Sequence, residues 1–164
     1  MPAEWERQQS TLMGWPYNKN DWPGKFNNIP KIFAEIISKI TKSQKVNLLI
    51  NNHKSKNIIK KLLRKNNARV SNVKFIICKT DRVWMRDIGP IFIKDKKNQN
   101  ILLNWKFNGW AKYKNYRKDN RVNLRIKDHY KGNVINPEFD KKSIVLEGGA
   151  IDVNGKGLLL TTKE

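Results

Sequence analysis

Cysteine is almost missing: the 164 residues contain one, Cys78. A single thiol excludes an intramolecular disulfide framework and a multi-cysteine zinc cluster. Histidine is nearly as scarce, with two. His53 and His129 stand in polar, lysine-rich surroundings and read as surface residues. The sequence offers no Ser-His-Asp arrangement, no phosphate loop and no set of metal ligands, so neither a metal nor a cofactor is expected. No apolar run approaches the roughly 20 residues of a membrane helix. The first ten residues, from Met1 to Ser10, lack the apolar centre of a signal peptide. The expectation is a cytoplasmic chain with no membrane partner.

Negative charge is also short: 14 acidic residues stand against 34 basic ones, for a net charge of +20. Such a balance is the electrostatic footprint of a nucleic-acid partner, because Lys and Arg displace counterions from phosphates. Composition argues the other way. Of the basic residues 26 are Lys, beside 21 Asn and 18 Ile, three residues whose codons are AT-rich. Phosphate-reading surfaces lean on Arg, whose fork matches phosphate geometry, and the Lys here are scattered. Nucleic acid is therefore the weaker reading.

The apolar content, 38%, and the length suit one compact domain spanning residues 1–164. Thr11 to Trp15 reads as a short strand stopped by Pro16, and Tyr17 to Lys25 as a loop. Ile32, Phe33, Ile36, Ile37 and Ile40 share one helix face, with Asn28 as cap and Pro30 in the first turn. Val46–Ile50 is the next strand. A second helix carries Ile58, Ile59, Leu62 and Leu63 to a break at Asn66-Asn67, and Val73–Ile77 is a third strand. This β-α-β-α-β rhythm predicts an α/β fold. Ile91–Ile93 and Ile101–Trp105 flank a polar turn as in a hairpin, and a helix is expected over Asn120 to Tyr130. Ser143–Leu146, Ala150–Val153 and Gly157–Thr162 read as strands, the last two joined through Asn154-Gly155, a strong hairpin signal.

Two segments carry chemistry. Asp81-Arg82-Val83-Trp84-Met85-Arg86-Asp87-Ile88-Gly89-Pro90 follows a core strand, where loops bear functional side chains. Leu146-Glu147-Gly148-Gly149-Ala150 sets one carboxylate beside two glycines, which permit close approach of backbone or ligand. If the two segments converge, Asp87 and Glu147 face one cleft and suit a planar cation, since carboxylates bind a guanidinium bidentately. The plainer readings are an ion pair of Asp87 with Arg86 or Arg82, and a turn carboxylate at Glu147 bonded to the Gly148 and Gly149 amides. Trp84 suits stacking on a flat cation, or packing in a core. Cys78 ends an apolar run and reads as a buried thiol.

Met1-Pro2-Ala3-Glu4-Trp5, Met13-Gly14-Trp15-Pro16, Trp84 to Pro90, Trp105-Lys106-Phe107-Asn108-Gly109-Trp110 and Leu146 to Ile151 form an ordered set. This set resembles the agmatine deiminase family, grouped with the bacterial type of peptidylarginine deiminase, over its N-terminal half. The resemblance implies a partial pentein, an α/β propeller, with about two of five ββαβ-type modules. It implies a guanidine-hydrolysing enzyme, with agmatine as substrate and N-carbamoylputrescine and ammonia as products, in putrescine biosynthesis. A peptidylarginine substrate and a non-catalytic basic protein on the same scaffold are the alternatives. In that family a cysteine thiolate attacks the guanidinium carbon, a histidine shuttles protons and carboxylates hold the nitrogens. The resemblance assigns the carboxylate roles to Asp87 and Glu147 and substrate binding to Trp84 and Asn108. Neither Cys78 nor either histidine falls in the matching motifs. The chain then reads as a fragment that is inactive alone, with a second chain carrying the other half as a partner and an open flank that favours homo-oligomers.

Overall fold

The computed structural model describes residues 1–130 and 132–162. The chain divides into two compact units, one of Gln8–Met85 and one of Met1–Arg7 with Arg86–Glu164.

The first unit follows the expected rhythm. Strands β1 (Ser10–Gly14), β2 (Lys45–Ile50) and β3 (Val73–Ile77) alternate with helices α1 (Ile29–Ile40) and α2 (His53–Lys65). All pairings are parallel, in the order β1-β2-β3, with Leu48 opposite Met13 on one side and Phe75 on the other. Parallel strands need crossovers, and the two helices supply them. Val46, Leu48 and Ile50 join Ile59 and Leu63 of α2 and Ala34 and Ile37 of α1 in one core, all at or below 2% exposure.

The stripe of α1 that enters this core differs from the expected one. Ala34, Ile37, Ser38 and Thr41 are buried, whereas Ile32 and Ile36 are 45% and 43% exposed. Spacing of i, i+3, i+4 and i+7 makes a face as regular as the isoleucine one. Thr41 gives this face a polar anchor: its carbonyl accepts from Asn72 at 2.8 Å and its hydroxyl oxygen from the Arg69 amide at 3.1 Å. Asn28 occupies the N-cap position without a side-chain cap bond, because a 3₁₀ turn over Phe26–Asn28 runs directly into the helix. In α2 the capping is regular, Asn52 accepting from the Ser55 amide at 2.9 Å.

The second unit takes all but the first residue of α3 (Met85–Ile88), a single turn, followed by β4 (Ile91–Lys94) and β5 (Asn100–Leu103) as the expected antiparallel hairpin. Asp95 organises the turn, its side chain accepting from the amides of Lys97 and Gln99 at 2.9 and 2.7 Å. The helix expected over 120–130 is shorter: α4 (Val122–Ile126) lies between two 3₁₀ turns, with Val122 and Ile126 fully buried. Strand β6 (Asn133–Ile135) joins β5 in parallel. A small hairpin, β7 (Glu138–Phe139) and β8 (Lys142–Ser143), turns through Asp140 and Lys141 at φ 48° and 61°.

The strand expected over Ser143–Leu146 is cut short after β8. The Ile144 amide donates back to Pro137 O at 3.2 Å, while Ile144 O accepts from the Lys106 amide at 3.1 Å. The backbone thus changes partners within one residue, leaving only an isolated bridge between Val145 and Lys106. Strands β9 (Ile151–Val153) and β10 (Leu159–Thr161) pair antiparallel. The loop between them is longer than a two-residue Asn-Gly turn. Asn154 accepts from the amides of Lys156 and Leu158 at 2.8 and 3.1 Å, and both Gly155 and Gly157 take positive φ. The unit as a whole, with its neighbour, is mixed α/β. Among the described residues, no helix is long and apolar enough to cross a membrane.

Candidate functional site

Two loops of the second unit meet at α3. Ile88, 2% exposed, anchors this turn, and Arg86 ties it to the Glu-Gly-Gly segment: its Nε donates to Gly148 O at 3.0 Å. The Arg86 guanidinium also pairs with Glu4. The glycines allow the approach. A Cβ on Gly148 would stand 2.5 Å from Arg86 O, and one on Gly149 would stand 3.1 Å from Asp87 Oδ1.

The result is direct contact between the two candidate carboxyls. The side chains of Asp87 and Glu147 share a hydrogen bond, and Glu147 makes a second with Trp110. Burial raises Asp87 above the ordinary aspartate value, opposed by the Arg86 charge and by the bond from Glu147. Burial likewise raises Glu147, and the neighbouring Asp87 charge adds to the rise, while the bond to Trp110 opposes it. Two carboxyls this close favour sharing one proton over full ionisation. The bond raises Glu147 and lowers Asp87.

The plainer readings of both residues give way. Arg86 spends its donors on Glu4 and Gly148 rather than forming an ion pair with Asp87. Arg82 lies in the other unit, 5% exposed, and acts electrostatically on Asp21. Glu147 turns its carboxyl to Asp87 and Trp110.

The remaining sequence candidates separate. Trp84, carried by the Gln8–Met85 unit, is 51% exposed, so the core-packing reading fails. Asn108 is half-buried and caps a turn, its Oδ1 accepting from the Ala111 amide at 3.1 Å. Cys78 is 3% exposed at the end of β3, with its amide bonded to Ile50 O at 2.9 Å. His53 and His129 are exposed. Among the described residues no group of three His, Cys, Asp or Glu is placed to hold a metal ion.

Sequence reasoning gave Trp110 no role of its own and cast Arg86 only as an ion-pair partner of Asp87. A signal for Trp110 existed in Asn108-Gly109-Trp110, a turn-forming pair followed by a ring with a single N–H donor. It also missed a buried polar group in the first unit, where Asp21 is raised by burial and by Asp81 and lowered by Arg82.

Chemically, the site is a pair of part-buried carboxyls held in register by a backbone clamp. A planar cation with several N–H donors can take the place of the shared proton and satisfy both carboxylates at once.

A profile of the Porphyromonas-type peptidyl-arginine deiminase family matches residues 1–164. A curated relative from Mycoplasma capricolum, named "Putative agmatine deiminase", is 30% identical over all of this chain and 43% of its own length. The solved structure of a "putative peptidyl-arginine deiminase" is 32% identical with a TM-score of 0.81, covering 98% of this chain and 45% of that one. The agmatine deiminase of C. jejuni is 28% identical with a TM-score of 0.77, covering 98% and 44% respectively. The chain therefore spans less than half the length of the relatives it matches. On this evidence the chain belongs to the Porphyromonas-type peptidyl-arginine deiminase family.

Proposed function

We propose that residues 1–164 form the carboxylate-bearing part of a guanidine deiminase, with agmatine as substrate and N-carbamoylputrescine and ammonia as products. The observation that supports this reading is the Asp87–Glu147 pair, joined by a hydrogen bond and raised by burial. An ionised pair offers four oxygen acceptors to a guanidinium, and charge-assisted bidentate bonds are the strong ones. Binding the cation expels the shared proton. Asp87 and Glu147 then orient the guanidinium and fix its charge while its carbon is attacked. Trp84, through its exposed ring, is proposed as a stacking partner for a planar cation, and Asn108 as the residue that fixes the turn next to Trp110.

Hydrolysis of a guanidine to a urea also needs a nucleophile and a proton shuttle for the departing ammonia. Cys78 is buried behind β3 and suits neither role. In this proposal the thiolate and the imidazole lie outside residues 1–164, in further chain or in a second polypeptide. A pentein with about two of five modules in this chain belongs to the same proposal, supported by the mixed α/β architecture and by the TM-scores above.

The test is calorimetric titration of agmatine, and of an arginine peptide blocked at both ends, into the purified chain and its Asp87→Asn variant. The expected result is weak binding of agmatine, weaker binding of the peptide, and loss of both in the variant, with no ammonia released. Agmatine binding that survives Asp87→Asn overturns the site. Ammonia release by the chain, abolished by Cys78→Ser, overturns the assignment of the nucleophile.

A further inference from the structure

Strand β10 is apolar on both of its faces. Leu158, Leu159 and Leu160 follow one another and are 57%, 51% and 61% exposed. Successive side chains of a strand point to opposite sides, and each side here meets a different hollow. Leu159 lines a cavity of about 290 Å³ together with Ile91 of β4, Leu103 of β5, Trp105, Leu146 and Ile151 of β9. Leu160 lines a smaller hollow beside Trp5 and Asp152. A continuous apolar run belongs to a strand covered on both faces, yet β9 and β10 form a sheet of two strands, which is marginal by itself in water. Among the described residues β10 pairs with β9 alone, so its outer edge presents amides and carbonyls with no ladder partner. The cavity adds a second unsatisfied feature. Trp105 Nε1 is buried and has no hydrogen-bond partner among the described residues. A buried indole N–H ordinarily has an acceptor, and the side chains that line the cavity beside it are hydrocarbon. An occupant that fits is apolar, extended and equipped with a carbonyl oxygen, which describes a strand of polypeptide.

Resting on the reading of residues 1–164 as part of a guanidine deiminase, we propose that this face seats the deiminase segment that the relatives carry beyond the part matched here. Those relatives are more than twice as long as the match, so the segment is long enough to supply both a strand and its covering. One of its strands pairs with the outer edge of β10, by the strand addition that exposed sheet edges invite. Its apolar side chains fill the cavity against Leu159, and one of its carbonyl oxygens accepts from Trp105 Nε1. The same segment covers Leu160 from the other side. A second copy of this chain is the poorer occupant, because two molecules of net charge +20 repel.

The test compares the full chain with a fusion in which it is followed by the part of the Mycoplasma capricolum relative outside the match. Hydrogen exchange is read at the amides of Leu159, Leu160 and Thr161 and at the Trp105 indole N–H. Exchange is expected to slow by about tenfold or more in the fusion at both places, as a new hydrogen bond requires. Where the fusion does not fold, the segment added as a separate polypeptide to the isotopically labelled chain gives the same readouts. Leu159→Asp and Leu160→Asp are expected to leave the melting temperature of the isolated chain unchanged, since both residues are more than half exposed, and to lower that of the fusion. Exchange as fast with the segment as without it overturns the proposal, as do equal losses in the two backgrounds. Sedimentation of the isolated chain tests the other occupant: a dimer that Leu160→Asp dissociates gives the face to a second copy and overturns the proposal as well. Ammonia release from agmatine keeps the two readings apart. A protected β10 with no ammonia released removes the functional reading and leaves the docking in place, whereas ammonia release with β10 and Trp105 still open removes the docking alone.

Discussion

Replacing Glu147 by Gln separates the electrostatic cost of the carboxyl pair from its geometry. The amide has the same length, can still donate to Asp87 and accept from Trp110, and carries no charge. Two unit charges about 4 Å apart repel by ~1 kcal/mol in bulk water and ~4 kcal/mol at the effective dielectric of a protein surface. Both side chains are only part-buried, so solvent screening brings the expected gain to about 1 kcal/mol. For a chain of this size that is about 2–4 °C in melting temperature. The sign depends on pH. Burial raises both carboxyls in the folded state, so the folded protein holds protons that the unfolded chain has released. Stability contributed by the pair is therefore present below the ordinary carboxylate range and is lost as pH rises through the raised values. The gain from Glu147→Gln is full at pH 8 and shrinks towards pH 4. Paired urea melts of wild type and variant at pH 8 and pH 4.5 measure it, and the +20 background is nearly common to both. A variant that is less stable than wild type by the same amount at both pH values refutes the argument.

Gly148→Ala is expected to lose about 1–3 kcal/mol, as overpacked sites do, because its Cβ would stand 2.5 Å from the Arg86 carbonyl oxygen; a denaturant midpoint unchanged from wild type counts against the clamp. Ile37→Ala is expected to cost about 2–5 kcal/mol, while Ile32→Ala, at 45% exposure, should stay within about 0.5 kcal/mol; comparable losses at both sites would return α1 to the isoleucine face. Cys78, 3% exposed, should react with a thiol reagent only at the rate of unfolding, and rapid labelling of the native chain would contradict its burial.

What the sequence made readable was rhythm. In residues 8–85 the alternation of apolar runs with turn residues marked three strands and two helices, because each run is bounded by breakers such as Pro16, Asn51-Asn52 and Asn66-Asn67. Rhythm did not choose between two equally regular stripes on α1. That choice was made by Asn72 and Arg69, far along the chain, which bond to Thr41. It also missed the β7–β8 hairpin, whose turn places Asp140 and Lys141 at positive φ. Such turns are usually announced by Asn-Gly or Asp-Gly, and Asp-Lys gives no such notice. Where Asn-Gly did occur between two paired strands, at Asn154-Gly155, Gly157 added a second left-handed position and lengthened the loop.

The candidate site divides along the same line. Asp87 and Glu147 were visible as chemistry-bearing residues next to special backbone, and their segments carried the family resemblance. Their relation was not visible, since it depends on Arg86 reaching a carbonyl 62 residues away and on two glycines leaving room for that approach. Arg86 looked like the natural partner of Asp87 because they are neighbours in sequence. In a helical turn, however, adjacent side chains point apart, and this leaves Arg86 free to engage Glu4 and Gly148 while Asp87 turns to Glu147. The same geometry that denies Asp87 an ion pair with its neighbour keeps its carboxylate available. An arginine satisfied elsewhere lowers Asp87 only through its field, and burial outweighs that field. In the proposed guanidinium site, binding would therefore depend on how Arg86 is occupied as much as on the two carboxyls themselves.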